Sequence, residues 1–294
     1  MTLPIVIGES SDPHVGAVVA ALARKRVTPT LLSIRKLQRD AYGLSGEGLT
    51  VSGQPVVSSV ERVNGWIRRL APSTWRHDPP NSDLDRVERA AWIEVMLAVS
   101  QSPQIRWLSR LRDLDEAENK IVQYRTAEAL GLAVPTWFVG SDGAADKMRD
   151  DHWILKPLGP AEFFDADGDR MQVFAAPVSP LIRRDGYASL ATTPFIVQKR
   201  VSAKAHLRVV TVADQAWVAW LDAPVELDWR KVDYAHEAFT ALDQNHPATP
   251  QVVNDALELA NELELGFSSQ DWIWDGHTAW VVDLNPSGQW GPSR

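Results

Sequence analysis

The chain has 294 residues, 30 Lys+Arg against 38 Asp+Glu, 45% hydrophobic residues, 13 tryptophans and no cysteine. That length suits about two domains of roughly 100–200 residues each, and the apolar fraction supports a buried core, which excludes wholesale disorder. Without cysteine there is no disulfide, thiolate metal site or cysteine nucleophile, and a net charge of −8 argues against a general binder of nucleic acid or anionic membrane.

The opening MTLPIVIGESSD lacks the basic segment and long apolar run of a signal peptide. No apolar stretch approaches the roughly 20 residues that span a bilayer. A cytoplasmic protein, with neither nucleic acid nor membrane as partner, is the expectation. Residues 4–7 read as a buried strand, 13–26 as a helix with Val15, Val18, Val19 and Leu22 at helical spacing, and 30–34 as a second strand. This β–α–β start favours a parallel sheet with a covering helix. Short strand-like runs follow at 49–51, 55–60 and 63–67, then a loop at Pro79-Pro80, a helix over 84–100 and a strand at 105–108.

A domain boundary falls near residues 110–114. Asp115 predicts an N-cap, Glu116 and Glu118 sit in the first turn, and Gly131 closes the helix. Strands are expected at 134–139, 153–156, 171–178 and 195–198. Two alternating strands, 206–213 and 216–222, turn at Asp214-Gln215. An amphipathic helix covers 249–265, with Val252, Val253, Ala256, Ala260 and Leu263 on one face and Gly266 as its stop. The chain finishes as a hairpin around Asp275-Gly276.

That hairpin carries the strongest chemical signal. Asp283 and Asn285 are two apart on one strand and share a face, and Asp271 lies on the neighbouring strand. Three oxygen donors from two strands suit Mg²⁺. A two-residue turn at Asp275-Gly276 would send Asp271 and Asp283 to opposite faces; a three-residue connection or one bulge returns them to the same face. The competing reading is a solvated hairpin edge. Basic residues add support. Lys120 comes early on the helix after Asp115, Lys156 ends the apolar run Trp-Ile-Leu-Lys-Pro, and Arg208 is mid-strand in His-Leu-Arg-Val-Val. A charge on an apolar strand needs a partner, and phosphate oxygens suit both Lys and Arg.

The order of these motifs resembles the ATP-grasp superfamily, and within it the microviridin-type (graspetide) maturases that macrocyclise ribosomal peptides. The resemblance runs through Asp12-Pro13-His14, Trp66 with Arg68-Arg69, and Trp107-Leu108 before Ala117-x-Asn119-Lys120. It continues through Gly131 to Pro135-Thr136, Lys156-Pro157, Gln198 to Lys204, Leu207-Arg208-Val209, Asp228-Trp229-Arg230, and Asp271, Asp283 and Asn285 with Gly288-Gln289-Trp290.

It implies an α/β (α+β) ATP-grasp fold: an N-terminal α/β domain over 1–112, a central lid domain over 113–197 and a C-terminal β-rich domain over 198–294. Lys120 and Lys156 would hold ATP phosphates. Gln198 and the backbone of Lys199, Arg200 and Val201 would frame the adenine. Arg208 would stabilise the transferring phosphate, Asp271, Asp283 and Asn285 would bind Mg²⁺, and Arg230 would either meet a substrate carboxylate or pin its loop. The implied partner is a precursor peptide with a leader segment, and a homodimer is implied by the resemblance alone.

Four features depart from the family's pattern. Asp283 replaces a usual Glu, and His206 replaces a common acidic residue. The stretch 158–169 has only Gly159 and Gly168, and the chain ends four residues after Trp290. The alternatives are therefore a glutamate-ligase-like enzyme that adds an amino acid or small amine to a carboxylate, and a non-catalytic ATP- or peptide-binding module. The seven histidines show no i, i+4 ligand pair and there is no Gly-x-Ser-x-Gly elbow, so zinc and serine-triad chemistry are set aside.

Overall fold

The structure is a computed structural model. It describes residues 3–57, 62–76, 78–148, 152–159, 162–164, 170–178, 188–222, 227, 229, 238–243, 246, 248–288 and 290. The chain divides into two compact units. One holds Met1–Asp115, Glu264–Phe267 and Ser287–Gly291; the other holds Glu116–Leu263, Ser268–Pro286 and Pro292–Arg294. Among the described residues no helix is long and apolar enough to cross a membrane.

The first unit runs β1 (Ile5–Ile7), α1 (Pro13–Arg24), β2 (Thr30–Leu32), α2 (Ile34–Leu37), β3 (Tyr42–Ser45), β4 (Gly48–Val51), β5 (Gln54–Pro55), β6 (Val63–Ile67), α3 (Asp83–Ser100), β7 (Ile105–Trp107) and α4 (Leu111–Glu118). β2-β1-β6-β7 form a parallel sheet. Ile5, Val6 and Ile7 are all buried, as in a parallel strand covered on both faces. β2 stops two residues short of the expected end, because the Ser33 hydroxyl accepts from the Lys36 N–H and starts α2. β3 was not foreseen. It pairs with β4, and β4 turns into β5 through Ser52 and Gly53, both in the left-handed region at φ 51 and 76, the conformation that tight hairpins favour.

Asp12 caps α1, accepting at Oδ1 from the His14 N–H at 2.8 Å. Arg68, 3% exposed, donates from Nε to Asp12 Oδ2 at 3.1 Å and from Nη1 to the Ser287 carbonyl. The Trp290 N–H donates to His14 Nε2 at 3.3 Å, and the two rings lie edge to face at 4.3 Å. Nδ1 lies 3.3 Å from Asp12 Oδ1 and 3.5 Å from Arg68 Nη2. Burial and then Arg68 hold the His14 pKa below its ordinary value. For Asp12, burial acts upward but is outweighed by Arg68 and the backbone N–H groups of α1, so its carboxyl titrates below the usual range.

The second unit runs α5 (Lys120–Ala129), β8 (Trp137–Val139), α6 (Ala144–Lys147), β9 (Trp153–Pro157), β10 (Glu162–Phe164), β11 (Arg170–Gln172), β12 (Ala176–Pro177), α7 (Ala188–Thr192), β13 (Phe195–Lys199), β14 (Ala205–Val212), β15 (Gln215–Asp222), β16 (Thr240–Ala241), α8 (Thr249–Glu262), β17 (Phe267–Trp274) and β18 (Ala279–Asn285). It contains the sheets β12-β9-β13-β8 and β16-β15-β14-β17-β18 and the hairpin β10-β11.

Three expectations need correction. The single helix from Asp115 is two helices. α4 begins upstream at Leu111, and Asn119 interrupts, its Oδ1 accepting from the Ile121 N–H at 2.9 Å to start α5. The β14–β15 turn is Ala213-Asp214, one residue early, since Val212 pairs with Gln215 and Ala213 takes φ 51. Gly266 is not the stop of α8. The helix ends at Glu262, and Glu264 takes the left-handed position at φ 54. Gly266 is small for another reason: a Cβ there would lie 2.0 Å from the Leu108 carbonyl oxygen.

Candidate functional site

Strand alternation gives each sheet of the second unit a packed face and an open one. On the first sheet, Trp153 and Val197 join Ala144, Met148, Val178 and Leu190 in a core beneath α6 and α7, with Phe138, Leu155 and Phe195 against it. Ile154, Lys156, Ile196 and Gln198 alternate with these and fall on the other face, Gln198 opposite Ile154 and Ile196 opposite Lys156. On the second sheet, Gln270 donates to the Ala256 carbonyl of α8 at 2.8 Å and accepts from Trp272 Nε1 at 3.0 Å. Thr211 and Ser268 hydroxyls meet at 2.7 Å on that same face. The opposite face therefore carries His206 and Arg208 on β14 and Asp271 and Ile273 on β17.

The hairpin β17–β18 meets the register condition through a bulge. Trp274 pairs with Ala279 across a four-residue connection, which alone would place Asp271 opposite Val282. Between Asp271 and Trp272 the register shifts: Trp272 pairs with Val281 and Asp271 with Asp283. Val282 is the extra residue, and the two carboxylates share a face. Each is held by a cation. Arg208 Nη1 donates to Asp271 Oδ1 at 2.6 Å, and Lys120 Nζ to Asp283 Oδ1. Asn285, exposed, lies two residues beyond Asp283.

β18 is a sheet edge, and an edge needs its free N–H and C=O groups managed. α5 does this with side chains. The Gln123 amide donates to Leu284 O at 2.7 Å and accepts from the Leu284 N–H at 3.0 Å, reproducing a strand partner. The same Nε2 donates to Ala117 O at 2.6 Å. The Val281 N–H donates to Ala133 O at 2.9 Å. The bulge carbonyl of Val282 accepts from the Tyr124 hydroxyl at 2.9 Å and from Lys156 Nζ at 2.5 Å. Gln123 and Tyr124 were missed from the sequence. Their signal is the stripe Lys120, Gln123, Tyr124, Ala127, at i, i+3, i+4 and i+7 on one face of a helix, which puts hydrogen-bonding groups where an apolar stripe would be expected.

The two open faces bound a cleft that opens to solvent. Lys156, Gln198, Lys199, Arg200 and Val201 line one side; Asp271, Asp283, His206 and Trp229 line the other. Lys120, Arg208 and Asn285 stand outside that lining, the first two tied to the carboxylates that form it. Arg230, Asp228, Gln289 and most of the stretch 158–169 lie outside the described residues. Gln198 is 2% exposed, and its Nε2 has no hydrogen-bond partner among the described residues. A buried amide left unpaired costs roughly 1–3 kcal/mol, so a polar ligand that accepts from Nε2 fits this position.

The donor chemistry also fits a hard divalent cation. Among the described residues no three His, Asp or Glu side chains converge. Mg²⁺, however, is commonly held by one or two carboxylates, water and substrate phosphates, and two opposed aspartates beside lysines match that pattern.

No known family's sequence profile matches the chain, and no curated protein matches it in sequence. Solved structures do match in fold. The RiPP-associated ATP-grasp ligase of Chryseobacterium gregarium, in complex with ADP and a leader and core peptide, superposes with a TM-score of 0.80 at 16% identity, over 98% of this chain and 90% of that one. Macrocyclase MdnC of Microcystis aeruginosa, bound with precursor peptide MdnA, gives 0.77 at 18% identity, over 99% and 92%. The ATP-grasp ligase PsnB, complexed with a minimal precursor, Mg and ADP, gives 0.73 at 17% identity, over 98% and 90%. The chain has the mixed α/β ATP-grasp fold, as its order of motifs led us to expect.

Proposed function

We propose that the chain is an ATP- and Mg²⁺-dependent ligase. It activates Asp or Glu side chains of a ribosomally made precursor peptide and joins them to Lys, Ser or Thr side chains of that peptide. The observation that carries this reading is the cleft of the second unit, where two lysine- and arginine-paired aspartates face strands bearing Lys156 and the buried Gln198 amide. The likeness along nearly the whole chain to ligases solved with precursor peptides supports the choice of substrate.

A carboxylate is a poor electrophile. ATP supplies the activation: a carboxylate oxygen attacks the γ-phosphorus and ADP leaves, giving an acyl phosphate. An amine or hydroxyl then attacks the acyl carbon and inorganic phosphate leaves, so the peptide loses one water per ring. Lys120 and Lys156 hold the phosphates, and Arg208 balances charge on the transferring group, where fixed cations act most strongly. Asp271, Asp283 and Asn285 hold Mg²⁺, which supplies further neutralisation of the phosphate oxygens. Gln198, with the backbone of Lys199, Arg200 and Val201, takes the adenine. Arg230 meets a substrate carboxylate. These roles fit a three-part division at 1–112, 113–197 and 198–294. A leader segment bound outside the cleft raises the effective concentration of the core.

The test is mass spectrometry of a precursor peptide with ADP release followed in parallel. Loss of one water per ring, dependent on ATP, is expected. Gain of an amino-acid residue would point to an adding ligase, and nucleotide binding without turnover on any peptide to a silent module. Lys156→Ala should weaken ATP binding about 10–100-fold, the worth of hydrogen bonds to a charged group. Asp283→Ala should abolish turnover with the fold retained; wild-type rates would sink the metal assignment.

A further inference from the structure

Tyr124 has no part in the reaction as written above, yet it contacts Lys156 directly. Its side chain is fully buried at 0% exposure. Trp137 packs on its ring at 5.5 Å between centroids. Its backbone is pinned by the neighbouring Gln123, whose amide is bonded to Leu284 in both directions. Burial first, and then the charge of Asp283, push the phenol pKa far above its ordinary value, so the hydroxyl keeps its proton. That proton is committed to the Val282 carbonyl at 2.9 Å, which leaves the oxygen to accept from Lys156 Nζ, also at 2.9 Å, with the Gln198 side chain beside it. The ammonium lies 5.6 Å from the ring centroid and donates to the same Val282 carbonyl. One seat, made of a phenol oxygen and a bulge carbonyl, therefore holds the lysine.

We propose that Tyr124 is a positioning residue: its hydroxyl, fixed on the bulge carbonyl of Val282, sets the Lys156 ammonium in the cleft where it meets the phosphates of ATP. The proposal rests on the phosphate role given to Lys156 above. Its physical basis is the flexible four-carbon stem of lysine, whose freedom is lost when the ammonium binds a phosphate. A seat that restricts the side chain beforehand lowers that cost. Phenylalanine would keep the ring and the packing but neither hydrogen bond, so the hydroxyl can be tested apart from the bulk.

The experiment is a double-mutant cycle read by calorimetry with ATP and with adenosine, on the full chain carrying Tyr124→Phe, Lys156→Ala, or both. Tyr124→Phe is expected to weaken ATP about 3–10-fold, the scale of one lost hydrogen bond, and to leave adenosine unchanged. In the Lys156→Ala background it should add nothing. Three results overturn the proposal: equal losses for ATP and adenosine, a loss undiminished in the Lys156→Ala background, or an unchanged ATP affinity in Tyr124→Phe. If Lys156→Ala itself leaves ATP affinity unchanged, the phosphate role of Lys156 fails and this proposal fails with it. An effect of Lys156→Ala without one of Tyr124→Phe removes this proposal alone. If Tyr124→Phe does not fold, 3,5-difluorotyrosine at position 124 keeps the ring and the hydroxyl, strengthens the O–H as a donor to Val282 and weakens the oxygen as an acceptor from Lys156. The same ATP-selective loss is expected there, and no loss overturns the proposal.

Discussion

His14 gives the first unit a dependence on acid. In the fold its ring accepts from the Trp290 N–H at Nε2, and Nδ1 sits between Asp12 and Arg68. Burial and the Arg68 guanidinium, with Arg69 also repelling, hold its pKa below the ordinary 6.5. The unfolded chain then binds a proton at a higher pH than the folded one, so stability falls as pH drops through about 6.5. Asp12, also lowered, adds a further loss only in stronger acid, as pH falls through its folded pKa. Thermal melts between pH 8 and pH 5 should show the melting temperature falling towards acid, with a shallower slope for His14→Gln. Parallel curves would show that another group carries the dependence. Lys156 and Arg208 could be singled out from sequence because a charge on an apolar strand must find a partner, and Asp271 and Asp283 because they share the closing hairpin. Which partner could not be read. Sequence alone supplied phosphate and metal, whereas the fold also pairs Lys120 with Asp283 and Arg208 with Asp271. Tyr124 escaped notice because a buried tyrosine on a helix reads as packing until the carbonyl opposite it is known.

Between elements, close approach of backbone decides more than pattern does. Gly266 enters β17 with its Cα against the Leu108 carbonyl, just after β7. Gly266→Ala would drive a methyl to 2.0 Å from that oxygen and force the strand to move. Overpacking of this kind costs about 1–3 kcal/mol, and urea unfolding should report a lowered midpoint of that size. A wild-type midpoint would mean the junction has slack. From sequence, Gly266 read as a helix stop, because glycine after an amphipathic run is the usual signal; the left-handed residue turned out to be Glu264. The strand–helix alternation was legible through hydrophobic period, and so was the requirement that Asp271 and Asp283 share a face. The bulge that satisfies it was not, because Val282 looks like any other strand valine and is displaced by partners on α5 and β9 that lie far away in sequence. The break at Asn119 was similarly hidden: Asp115 and Asn119 are both good caps, and only the fold of the segment decides which one works.

Across the whole molecule, a net charge of −8 sits alongside a cleft wall carrying Lys156, Lys199 and Arg200, so a few placed cations matter more to an anionic ligand than the total. Motif order was the feature of the sequence that reached furthest. It led to the fold over nearly the full chain, where no single motif would have done so. The tryptophans now separate by surroundings. Trp272, on β17, is wholly buried, Trp290 packs against Trp66, Phe267 and His14, Trp153 lies in the core under α6 and α7, and Trp217 is 56% exposed. Among the described residues Trp229 is the tryptophan that lines the cleft, edge-on to Phe239 at 5.0 Å. The protein therefore carries an optical probe on the cleft wall. Titration with ATP should quench or shift the indole emission until saturation, and Trp229→Phe should silence that response while the emission of the other indoles stays as it was.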